Sequence, residues 1–252
     1  MKKSRFYDGR VTESLGEMAR GRQDFSERDA AFLEFLSQFV TDERRQRFEE
    51  VLEWRTRHLT VVLEDIFQPH NASAVLRTCD LRGVQDIHVV ENRNHYAVNP
   101  EVVMGSTKWL SLYHYNELEF NTPAAFERLR SEGYKIVATC PHQDEYMPET
   151  LPLDEPVALV FGTEKEGLSD YAIKNADMHV MIPMFGFTES YNISVSAALL
   201  LYTLTNRLHA STRIDWHLTE SERNAVRLLW TRRSLSRIRQ YERKFESLYS
   251  GE

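Results

Sequence analysis

Apolar positions along the chain follow two periods. Short runs rich in β-branched or uninterrupted apolar residues occur at 58–63, 85–91, 110–115, 135–139, 157–161 and 178–182. Runs of this length bounded by turn residues predict strands, and the unbroken run at 157–161 predicts a parallel strand covered on both faces. Between and around them the period changes to helical. Phe32, Phe35, Leu36 and Phe39 share one helix face, Thr41 is placed to cap a second helix opening with Asp42 and Glu43, and a helix is expected over about 123–131. Residues 193–204 form a helix rich in small residues, Thr219 and Glu222 have capping-box spacing, and Leu235, Ile238, Tyr241, Phe245 and Leu248 make a late apolar stripe. Alternating strands and helices predict an α/β layered parallel sheet. Its expected divisions are 1–56, a flexible arm and helical extension; 57–209, the core; and 210–252, a helical, basic C-terminal extension.

Composition agrees with a packed core: 42% of the 252 residues are hydrophobic and 11% aromatic. No apolar run approaches the ~20 residues of a membrane span, and the basic N-terminus lacks a signal-peptide apolar region, which predicts a cytoplasmic protein. Cys79 and Cys140 form no CxxC motif and read as buried free thiols, and the histidines lack metal-ligand spacing, so no metal is expected. The net charge of −7 disfavours a uniformly nucleic-acid-binding surface. Against it stands a local excess of Arg232, Arg233, Arg237, Arg239, Arg243 and Lys244. Either these form a solvated helix face or they contact an RNA backbone; a basic cluster in an acidic chain favours RNA, with Arg232, Arg233, Arg237 and Lys244 as the candidates.

Three strand-to-helix corners carry the candidate chemistry. The first, at 67–83, contains Asn71, Arg77 and Gly83; the second, at 157–170, contains Gly162-x-Glu164-x-x-Gly167; the third, at 181–201, contains Ile182, Pro183, Met184, Gly186, Ser190, Asn192 and Ser194. A parallel sheet gathers such corners at the carboxyl ends of its strands, where ligands bind. Asn71 at a helix start reads either as a cap or as a functional amide, and Arg77 either as an ion-pair partner of Asp80 or as a substrate-facing cation. No G-x-G-x-x-G follows the first strand, which disfavours a dinucleotide enzyme.

Taken in order, the three motifs resemble the SPOUT superfamily, and within it the TrmH-type RNA 2′-O-ribose methyltransferases. The resemblance spans roughly residues 60–208. It implies a core ending in a trefoil knot, a homodimer paired through the knot helices, and S-adenosylmethionine held bent in the knot. It further implies cofactor contacts from Thr139, Gly162, Glu164, Gly167, Ile182, Met184, Gly186, Asn192 and Ile193, and a catalytic set of Asn71, Arg77, Glu164, Ser190 and Asn192. Arg77 would also meet RNA. Glu189 and Tyr191 depart from the glutamine and smaller aliphatic residue usual in that family, which bears on substrate choice. The compact core with short helical extensions points to a tRNA D-loop guanosine. The alternatives are a ribosomal-RNA or anticodon-loop target, or a catalytically silent RNA-binding member; the complete residue set argues against the last.

Overall fold

The computed structural model describes residues 25–66, 68–94, 106–141, 145–164 and 166–249. The arm expected before residue 25 lies outside them. Six parallel strands form one sheet: β1 (Leu59–Glu64), β2 (Asp86–Val90), β3 (Ser111–Tyr115), β4 (Lys135–Thr139), β5 (Val157–Phe161) and β6 (Met178–Val180), in the order β3-β2-β1-β5-β4-β6. The central pair is in register with Val61 opposite Leu159. Alternate residues of one strand serve opposite faces. Leu59, Val61, Leu63, Val157, Leu159 and Phe161 join one core with α3 (Pro69–Leu81) and α6 (Ile193–Ala210). Val62, Ala158 and Val160 join a second core with α4 (Thr122–Ser131) and the short α5 (Asp170–Asn175). The result is the three-layer α/β arrangement expected for strands apolar on both sides.

β6 is shorter than its apolar run. After Val180, the Met181 N–H donates to the Tyr146 carbonyl at 2.9 Å instead of continuing the β4 ladder, and Pro183 has no N–H to offer. The 145–151 segment is in turn held by α6, where Arg207 donates to the carbonyls of Pro148 at 2.7 Å and Leu151 at 2.8 Å.

The two terminal extensions pack on each other. α1 (Glu27–Ser37) starts at a Ser26–Asp29 capping box, α2 (Asp42–Leu52) at the Thr41 cap, and α7 (Glu220–Ser234) at the Thr219–Glu222 box. Phe48 and Leu52 of α2 bury against Val226 and Trp230 of α7, while Phe32 and Leu36 of α1 bury against Leu228 of α7 and Phe245 of α8 (Ile238–Tyr249). The late apolar stripe is therefore interrupted: Leu235 is extended between α7 and α8, and Leu248 is exposed. Cys79 is buried, its thiol pushed up by desolvation, whereas Cys140 is only half-buried, which corrects the reading of both as core thiols. Among the described residues no helix is long and apolar enough to cross a membrane, and no group of three metal-ligating side chains converges.

Candidate active site

β1, β5, β4 and β6 are neighbours, so the loops leaving their carboxyl ends share one edge of the sheet. The second corner is the most tightly built. Thr163 and Gly167 exchange backbone hydrogen bonds of 2.9 and 3.1 Å, closing a small hairpin, and Gly167 takes φ +70°. A Cβ on Gly162 would lie 2.2 Å from the Gly167 carbonyl, so only glycine permits this approach. Glu164 rides on the turn of this hairpin.

Glu164 faces the first corner. Its carboxylate accepts from the Asn71 amide at 2.5 Å, and the same nitrogen donates to the Gln68 side-chain Oε1 at 3.2 Å. Asn71 is not the helix cap: Gln68 occupies that position and Pro69 opens α3, which turns the Asn71 side chain inward, buried among the loops. Asn192, from the third corner, donates to Asn71 Oδ1 at 3.3 Å. Its own Oδ1 caps α6 by accepting from the Ser194 N–H at 2.9 Å and hydroxyl at 2.6 Å. One chain of side-chain hydrogen bonds, Ser194 to Asn192 to Asn71 to Glu164, thus joins all three motifs.

The other candidates divide. Ile182 and Met184 are half-buried along the third corner, and Gly186 stands in open space with no described atom closer than 4.0 Å to a built Cβ. Apolar walls and an approachable backbone are what an adenosine-bearing ligand needs, so these residues fit S-adenosylmethionine. Thr139 spends its hydroxyl on the Val160 carbonyl at 2.8 Å, and the Ile193 side chain is buried in the main core, leaving only its backbone for a ligand. Ser190, Glu189 and Tyr191 are exposed on the loop before α6. Arg77 is exposed on α3; six residues advance a helix by about 240°, which sets it on a different side from buried Asn71. Gly83 serves the fold: with φ +77°, its missing Cβ would fall 2.0 Å from the Trp54 carbonyl.

The basic cluster is partly consumed by structure. Arg232 pairs with Glu242 at 2.5 Å, and Arg233 donates to the carbonyls of Thr107, Lys108 and Leu110 at 3.1, 3.1 and 2.7 Å. These two guanidinium groups hold α7 to α8 and to the approach to β3, while Arg237 and Lys244 are exposed.

Two acids just beyond the apolar run at 58–63 also stand at this edge. Glu64 ends β1 and Asp65 follows it, and both are buried. Two consecutive acids closing an apolar strand were the only signal, and it does not say which groups they meet.

Comparison with known proteins places this geometry. Residues 58–202 match the SpoU rRNA methylase family. A Borreliella burgdorferi protein named tRNA (guanosine(18)-2′-O)-methyltransferase is 46% identical over 197 residues, covering 78% of this chain and 88% of its own. The Thermus thermophilus protein of the same name is 40% identical over 162 residues, covering 64% and 81%. Among solved structures, the Aquifex aeolicus TrmH/SpoU tRNA modifying enzyme superposes with a TM-score of 0.68 at 28% identity, covering 77% of this chain and 98% of that one. With more than half its length matched and all three motifs brought to one sheet edge, the chain belongs to the SpoU methylase family.

Proposed function

We propose that this protein is an S-adenosylmethionine-dependent tRNA methyltransferase that modifies the ribose 2′-hydroxyl of a D-loop guanosine, the reaction named for its relatives at position 18. The observation that carries the reading is the hydrogen-bond chain from Asn192 through Asn71 to Glu164, which unites the three motifs at the ligand edge. A tRNA substrate also puts its work in the cytoplasm.

The cofactor supplies an electrophilic methyl group on a sulfonium centre. The chain's residues have three tasks: hold the donor, align the hydroxyl with the S–CH3 bond, and ease proton loss. The 162–167 hairpin and the 182–186 loop hold the donor through backbone and apolar contacts. The carboxylate of Glu164 fixes the Asn71 amide so that its orientation does not change as substrate arrives, and Asn192 couples the same amide to the start of α6. Arg77 supplies the cation. A guanidinium stays protonated at any working pH, so it acts by binding phosphate and stabilising the developing alkoxide rather than by removing the proton. Ser190 is placed on the loop to offer a hydroxyl to the ribose or phosphate.

The working unit is a homodimer. Val195, Leu199 and Tyr202 repeat along one exposed face of α6, and Leu81 is exposed on α3, four residues beyond Arg77 on the same side. Arg82 spans the two helices, donating to Thr205 at 2.6 Å and lying 4.9 Å over the Tyr202 ring. Pairing this surface with its copy buries the apolar residues and brings Arg77 to the partner's site. Within each protomer the last part of the core is threaded as a trefoil knot.

The test is methyl transfer from labelled S-adenosylmethionine to unmodified total tRNA and, separately, to ribosomal RNA, with the product nucleoside identified and mapped. Labelled 2′-O-methylguanosine in the tRNA D-loop is the expected product. Label confined to ribosomal RNA overturns the substrate and leaves the chemistry.

A further inference from the structure

The hairpin at 162–167 is held on its Asn71 side by one hydrogen bond. Its opposite side is held by a second system built from the two acids that close β1. The Glu64 carboxylate accepts from the Ser169 N–H at 2.8 Å, the Ser169 hydroxyl at 2.8 Å and the Thr122 hydroxyl at 2.5 Å. Thr122 in turn accepts from Asn92 at 3.0 Å. Asp65 takes φ +60°, a conformation a non-glycine residue adopts only when its surroundings repay the strain. The repayment is visible: its Oδ1 accepts from the N–H groups of Asn92, Arg93 and Asn94 at 3.0, 2.8 and 2.9 Å. Burial pushes this carboxyl up, but the three backbone donors and Arg93 outweigh it and hold the group below the usual aspartate range. Arg93, drawn in at 3.3 Å, reaches on to Glu166 of the hairpin at 2.6 Å.

Two adjacent side chains, the last residue of the central strand β1 and the one that follows it, thus grip both ends of the same loop: Glu64 at Ser169, just after Gly167, and Asp65 through Arg93 at Glu166. Hydrogen bonds to ionised groups are roughly twice as strong as neutral ones, and Glu64 is buried where they gain most. We propose that Glu64 and Asp65 are positioning residues that set the 162–167 hairpin in its cofactor-binding geometry, acting through Ser169 and the Arg93–Glu166 pair. This rests on the reading of that hairpin as the donor's binding loop. A loop held in advance does not lose conformational freedom when its ligand arrives, so loosening it weakens donor binding more than it slows transfer from a saturated site.

The experiment measures S-adenosylmethionine affinity by calorimetry on the full-length protein, alongside kcat at saturating donor and the melting temperature. The variants are Glu64→Ala, Ser169→Ala, Arg93→Ala and, as a separate arm, Gly162→Ala. Arg93 is two-thirds exposed, so its replacement leaves the fold intact even if Glu64→Ala does not fold. The expected result is donor Kd raised about tenfold in Ser169→Ala and Arg93→Ala at little change in melting temperature or kcat. Gly162→Ala forces the hairpin open and abolishes measurable binding. Wild-type donor affinity in both Ser169→Ala and Arg93→Ala, with binding lost in Gly162→Ala, overturns the positioning role alone. Normal binding by folded Gly162→Ala removes the hairpin reading and this inference with it.

Discussion

The Asn71 amide donates to the Glu164 carboxylate at 2.5 Å across a sequence separation of 93 residues. That contact fixes which end of the amide faces Asn192, so the three motifs act as one unit. Glu164→Gln offers an amide of the same shape without the charge, and a hydrogen bond to an ionised group contributes about 1.5–3 kcal/mol. Turnover should fall at least tenfold while the melting temperature drops little. Asn192→Ala should behave likewise, losing the α6 cap at a cost of about 1 kcal/mol. A large fall in melting temperature with normal activity per folded molecule would sink the assignment of either residue.

Arg77→Lys should be nearly inactive, because an ammonium cannot reproduce the guanidinium fork. The dimer reading adds a sharper test. Mixing Arg77→Ala and Asn192→Ala protomers into heterodimers leaves one site with both its own Asn192 and the partner subunit's Arg77. Activity near half of wild type is expected from purified heterodimer. If Arg77 serves its own subunit, every site is damaged and the heterodimer stays inactive.

Gly83 and Gly133 both have positive φ, at +77° and +88°, but their surroundings differ. A Cβ at Gly83 meets the Trp54 carbonyl at 2.0 Å, whereas nothing lies within 4 Å at Gly133. Gly133→Ala should cost only the backbone strain, on the order of 1 kcal/mol, and Gly83→Ala that plus an overpacking penalty of about 1–3 kcal/mol. Chemical denaturation of the two variants checks the order; equal losses would show that Trp54 moves aside freely.

His88 is buried in the sheet, its Nδ1 2.9 Å from the Tyr115 hydroxyl and its ring stacked 4.8 Å from Tyr113. Burial, with a smaller push from Arg128, lowers its pKa from 6.5 to about 3. The unfolded chain therefore binds a proton that the folded chain refuses between those values, and stability falls as pH drops from 6.5 toward 3. His88→Phe removes this proton, so its melting temperature should vary less with pH over that window, whatever the offset at neutral pH. An unchanged slope would show that other groups govern acid unfolding.

The basic C-terminal residues should separate by assay. Arg233→Gln strands three carbonyls near β3 and should lower stability with little effect on the salt dependence of tRNA binding. Arg237→Glu with Lys244→Glu should leave the melting temperature unchanged, raise KM for tRNA, and flatten its dependence on salt as phosphate contacts are lost. Unaltered tRNA binding by that double variant would make the exposed patch a solvated face.

Strand and helix periods, the two helix caps Thr41 and Thr219 and the order of the motifs were legible in the chain itself, because each is a local property of neighbouring positions. Val157–Phe161 had to be a strand buried on both sides, and Thr219 with Glu222 had to start a helix. Which groups those elements bring together was not local. From sequence Asn71 reads either as a cap or as a functional amide, and what decides between them is that Pro69 opens α3 and turns it toward Glu164. Arg232 and Arg233 read as RNA contacts, because sequence counts charges but not the carbonyls and carboxylates that a returning helix presents to them. The late apolar stripe looked continuous, yet the chain breaks at Leu235 so that α8 can cover α1. Glu64 and Asp65 carry no local signal of their role, since nothing near them in sequence supplies the Ser169 and Arg93 groups they hold. Periodicity fixes what each segment is; only packing, by uniting residues tens of positions apart, decides what each side chain meets.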